Sequence, residues 1–164
     1  MEYHVVNYAA DGFTTTDMLE GAIPAIDMNY RSKEDDPYPS GFKIFEPLKW
    51  VEKLENPSNS IFVISCGGND IRVKLAEIAY GKVKAEEVLL AGAQNLIKII
   101  TKLLALNKKV VICTQYKPCT EQDNYRIYDV FSRDQMVDLL TGFYPLLFEF
   151  ARKNKIPILD FTKS

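Results

Sequence analysis

Short apolar runs alternate with helical periods along this chain. Val5 to Ala9 reads as a strand, and Thr14-Thr15-Thr16-Asp17 then opens a helix. Thr14 and Asp17 have the spacing of a capping box, in which each side chain satisfies a backbone amide left without a partner at the helix start. Leu19, Ile23 and Ile26 give that helix an apolar face. From about Asp27 to Glu46 the chain is polar and aromatic, punctuated by Pro37, Pro39 and Gly41. Pro47 to Leu54 predicts a short helix anchored by Trp50, and Asn56-Pro57-Ser58-Asn59 predicts a turn. Ile61 to Cys66 is a continuous apolar run, the pattern of a strand buried on both faces of a parallel sheet. Gly67-Gly68-Asn69-Asp70 ends it, and Ile71 to Ala79 predicts a helix.

Glu86 to Leu106 predicts a long helix. Leu89, Ala93, Leu96, Ile100 and Leu103 recur every three or four positions and make one buried stripe. Gln94, Asn95, Lys98 and Lys102 interrupt its apolar character, which argues against a membrane span. Val110 to Cys113 predicts the third strand, followed by a long loop from Thr114 to Phe131. Ser132 and Gln135 form a second capping box for a helix to about Asn154, which Pro145 should kink or split. Pro157 to Phe161 predicts a last strand. Four strands separated by helices predict an α/β fold with a parallel sheet and right-handed crossovers.

The chain has 164 residues, which fits one domain over residues 1–164. Its net charge of −2 gives no electrostatic footprint for nucleic acid or an anionic membrane. Three cysteines cannot close a disulfide framework, and one histidine with three cysteines lacks zinc-site spacing. No metal or cofactor is expected, and a reducing, cytoplasmic setting is. Met1-Glu2-Tyr3-His4 shows no basic start of a signal peptide. Glu34-Asp35-Asp36 reads as a solvated surface, and Tyr30, Tyr38, Tyr116 and Tyr125 as scattered surface tyrosines of the two long loops, with an aromatic wall for a sugar or acyl group as the second reading.

In open parallel sheets, ligands bind beyond the carboxyl ends of the strands. That rim holds Asp11 and Gly12 after the first strand and Gly67 to Asp70 after the second. Gln115, Tyr116 and Lys117 follow the third. Gly12 lets a substrate approach its backbone N–H, and Asn69 offers a side-chain NH₂. Two donors before helix N-termini suit a developing oxyanion. Read singly, Gly12 is a strand-to-helix turn and Asn69-Asp70 a helix cap.

Asn7-Tyr8-Ala9-Ala10-Asp11-Gly12-Phe13-Thr14-Thr15 resembles the second conserved block of the SGNH (GDSL-type) hydrolases. Val63-Ile64-Ser65-Cys66-Gly67-Gly68-Asn69-Asp70 resembles their third, with its Gly-x-Asn-Asp core. Ile156 to Phe161 looks like the strand before the family's last block. The resemblance implies a flavodoxin-like three-layer sandwich that hydrolyses small-molecule esters, thioesters or acetylated sugars. It also implies Gly12 and Asn69 as oxyanion-hole donors.

The nucleophile block Gly-Asp-Ser does not precede Asn7, and Lys163 stands where the family's Asp-x-x-His would place a histidine after Asp160. The Ser nucleophile and His base are thus expected to be absent, the chain to be incomplete at both ends, and the chain alone to be inactive. Without the family's nucleophile strand, the strands at Val5 and Ile61 must pair directly or leave exposed edges. His4 and Ser65 are not placed as a base and nucleophile, and Cys66, Cys113 and Cys119 read as inert thiols. The alternative is a non-catalytic α/β binding or interaction module derived from the same fold. A nucleotide-binding domain ranks last, since the phosphate-loop glycines are missing.

Overall fold

The computed structural model describes residues 5–24, 42–54, 59–106, 109–114, 131 and 133–161. His4, the acidic cluster at 34–36, the four loop tyrosines, residues 115–117, Cys119, Ser132 and Lys163 lie outside them.

Three strands form one parallel sheet in the order β1 (Ile61–Ile64), β2 (Lys109–Cys113), β3 (Ile158–Leu159). Ile61 to Ile64 pair with Lys109 to Ile112, and Ile112 and Cys113 with Ile158 and Leu159. Seven helices complete the described elements: α1 (Thr15–Glu20), α2 (Pro47–Glu52), α3 (Gly68–Arg72), α4 (Leu75–Ala79), α5 (Ala85–Ala105), α6 (Arg133–Thr141) and α7 (Tyr144–Lys153). The α/β character and the parallel sheet agree with the sequence pattern.

The core lies on one face of the sheet. Ile64, Val110 and Ile112 meet Ala93, Leu96, Ile99, Ile100 and Leu103 of α5 and Leu147 and Ala151 of α7. The five-residue stripe expected on α5 is therefore nearly the observed one, with Leu89 half-buried at its start. By length and composition α5 could also cross a bilayer, but here its stripe packs against β2 and α7.

Four expectations are corrected. Val5–Ala9 is not a strand: the Asn7 side chain accepts from the Ala9 amide at 2.9 Å, a local bond that competes with ladder pairing. Tyr8 and Ala10 pack instead beside Phe13 and Phe45. The described sheet thus has three strands, not four. The run at Ile61 is not buried on both faces, since Ile61 and Val63 are 58% and 64% exposed. Ile71–Ala79 becomes two short helices, α3 and α4, broken at Val73–Lys74. Trp50 is no anchor: it is exposed, while Leu48 and Val51 bury α2.

Pro145 does split the C-terminal helical run. It falls in the first turn of α7, where its missing N–H costs nothing, and Gly142–Phe143 separates α7 from α6.

Candidate functional site

The candidate site is built from two turns, Asp11–Gly12 ahead of α1 and Gly67 ahead of α3. Gly12 is exposed in the Asp11–Gly12 turn with φ +81°, a left-handed conformation that side chains resist. The capping box follows as the sequence predicts. The Thr14 amide donates to Asp17 Oδ2 at 2.8 Å, and the Asp17 amide donates to Thr14 Oγ1 at 3.2 Å.

Gly67 is the N-cap of α3, with φ +117°. It turns the chain so that Asn69 and Asp70 reach back across 55 or so positions to the Gly12 turn. The Asn69 amide nitrogen Nδ2 donates to the Phe13 carbonyl at 3.0 Å. Asp70 takes two bonds from one residue: Thr15 N donates to Oδ2 at 3.0 Å and Thr15 Oγ1 donates to Oδ1 at 2.5 Å. The Asn95 side chain on α5 donates to Thr16 Oγ1 at 3.1 Å. Three consecutive threonines are thus held by three different elements, α1 itself, α3 and α5.

The Asn69 side chain is therefore bonded to the residue that follows Gly12. One N–H of the Asn69 amide is engaged by Phe13; the group carries a second. Asn69 is half-buried and Gly12 exposed.

The charges around this junction are shifted by burial. Asp70 titrates above its ordinary value of 3.8, because desolvation outweighs the Thr15 hydrogen bonds, and Asp17 adds repulsion. Burial among core groups pushes the Cys66 thiol up to about 12, with the Asp70 charge adding to it, so its thiolate is suppressed at neutral pH. Burial also raises the Cys113 thiol. Neither cysteine is a poised nucleophile.

Folding raises the Asp70 pKa, so the folded state holds that proton more tightly than the unfolded chain does. The stability this contributes is complete below the ordinary carboxylate range and is lost as pH rises through the higher folded value. Asp70→Asn keeps an acceptor for Thr15 and removes the titration. The urea midpoint of the native protein relative to Asp70→Asn should fall between about pH 3 and about pH 7. A difference that is flat or grows with pH would contradict the burial of this carboxylate.

Ser65 is exposed just past β1. Asp160 accepts from Thr114 Oγ1 at 3.3 Å, while Thr114 Oγ1 accepts from the Phe161 amide at 2.7 Å. These bonds lock the ends of β2 and β3 together. Among the described residues no group of three His, Cys, Asp or Glu side chains could hold a metal ion. A shallow groove of about 330 Å³, lined by Ile78, Leu89, Phe131 and Leu139 with Glu86 and Asp138 at its sides, shares no residue with the turn pair.

No protein-family model, curated protein or solved structure matches the chain. The Gly-x-Asn-Asp turn and its geometry therefore carry the functional reading alone. Sequence reasoning singled out Gly12 and Asn69 and did not foresee the bonds between Thr15 and Asp70. The signal was present in the run Thr14-Thr15-Thr16, whose second hydroxyl the capping box leaves unexplained.

Proposed function

We propose that this chain carries the oxyanion-binding part of an SGNH-type ester hydrolase site. The fold proposed with it is the flavodoxin-like three-layer sandwich, and the seryl nucleophile and histidine base are not among this chain's own residues. Its substrate is a small-molecule ester or acylated sugar, handled without a cofactor, nucleic acid or membrane span, in the cytoplasm. The observation that carries this reading is the 3.0 Å bond from Asn69 Nδ2 to the Phe13 carbonyl, which seats the Gly12 turn against α3. An ester carbonyl attacked by a hydroxyl develops negative charge on oxygen. The Gly12 N–H and the second Asn69 N–H are the donors for that charge. Donors of this kind are worth about 10²–10³ in rate where they can be removed singly.

Acetate is a suitable probe, since it presents carboxylate oxygens like those of an ester-hydrolysis product. Added to ¹⁵N-labelled protein, it should move the Gly12 backbone and Asn69 side-chain amide signals along one binding curve, and Asn69→Ala should weaken that curve about tenfold, the equivalent of about 1.4 kcal/mol. With p-nitrophenyl acetate the chain alone should give no burst of p-nitrophenolate from acyl-enzyme formation. Signals that stay still, or move along separate curves, would overturn the anion site. A burst would overturn the absence of a nucleophile.

The second reading, a non-catalytic binding or interaction module, is favoured by one observation. Asn69 and Asp70 both bond to the start of α1, as an architectural clamp would. That reading expects Asn69→Ala to lower stability while acetate leaves both amides unmoved.

A further inference from the structure

We propose that Thr15 is a positioning residue, whose bonds to Asp70 hold the Gly12 turn in register with Asn69. The inference rests on the anion-site reading above and assigns a part in it to a residue that touches no ligand. Two successive side chains of α3 grip alternate residues of one short segment: Asn69 holds Phe13 by its carbonyl, and Asp70 holds Thr15 by its amide and hydroxyl. Thr14, between them, is tied to Asp17 of its own helix. The segment after Gly12 is thus fixed by the same turn that supplies the second donor. Thr15 is fully buried, so water does not compete for its hydroxyl. The left-handed Gly12 has wide backbone freedom of its own; a long bond from the Phe13 amide to the Ala10 carbonyl, 3.4 Å, closes its turn, and the clamp fixes the residues that follow.

Thr15→Val removes the hydroxyl at nearly constant volume, and Thr15→Ser restores it. Acetate affinity, read from the Gly12 and Asn69 amides, should fall at least fivefold in Thr15→Val and return to within twofold in Thr15→Ser. The steady-state heteronuclear NOE of the Gly12 amide should fall in Thr15→Val and recover with serine. Ile99→Val, a core change on α5 that lowers stability without touching the clamp, should alter neither reading. If Thr15→Val binds acetate as the native protein does, with an unchanged NOE at Gly12, the positioning role is overturned. If the native protein binds no acetate, the hydrolase reading fails, and the NOE decides alone: a loss confined to Thr15→Val supports the clamp, and no loss refutes it. Should Thr15→Val fail to fold, Asp70→Asn takes its place. It keeps an acceptor but loses the charge, and should lower affinity by a smaller factor; unchanged affinity and NOE would refute the clamp.

Discussion

Gly67→Ala is expected to destabilise the protein by about 3 kcal/mol, the combined cost of a strained backbone and an overfilled contact. The backbone at Gly67 stands at φ +117°, where an L side chain is strained. An added Cβ would also overlap the Phe143 ring, whose Cζ is nearest and whose Cε2 and Cε1 would lie 2.9 and 3.0 Å away. That ring is buried and packs on Tyr144 at 4.4 Å between centroids, so it has little room to swing aside. The loss should appear as a lower urea midpoint with an unchanged slope. Phe143→Ala alone opens a cavity and should cost about 3–5 kcal/mol. The double variant should be more stable than the sum of the two, because the overlap vanishes while the backbone strain remains. A Gly67→Ala protein within about 0.5 kcal/mol of native would show that the turn before Asn69 does not need its glycine.

What the sequence makes legible here is what neighbours in the chain decide. Thr14 and Asp17 are three positions apart, so the capping box could be read directly, and it formed. The stripe on α5 follows from helical periodicity, and the division at Pro145 from a missing N–H. Contacts between distant segments were not legible. The apolar run at Ile61 says that a strand forms, not which of its faces is covered, and Ile61 and Val63 stayed exposed. Val5 to Ala9 has strand composition, but strand formation is decided by a partner, and Asn7 bonds within its own turn. The reading that sets Gly12 and Asn69 on one rim rests on a strand at Val5–Ala9 that does not form. The bonds that set their spacing run through Phe13, Thr15 and Asp70, and no local pattern pairs residues 55 positions apart.

Leu147→Ala should cost about 3–4 kcal/mol, within the range for buried leucines. Leu147 is 0% exposed, at the centre of the cluster that joins α5, α7 and the covered face of the sheet. The adjacent Leu146 is 45% exposed on the same helix, and Leu146→Ala should stay within about 0.5 kcal/mol of native. Both substitutions make the same chemical change with the same helix propensity, so their difference isolates burial from secondary-structure preference. The effect should also reach the candidate site. The Leu147 amide donates to the Phe143 carbonyl at 3.4 Å, and Phe143 is the ring that backs Gly67. Both side chains belong to one buried cluster, so a cavity at Leu147 is expected to give that ring space to retreat. Leu147→Ala should therefore soften the penalty of Gly67→Ala, so that the pair falls short of additivity by about 0.5 kcal/mol or more. Strict additivity would mean that the core under α7 and the turn carrying Asn69 are mechanically independent, and equal costs at 146 and 147 would mean that α7 does not face the sheet as described.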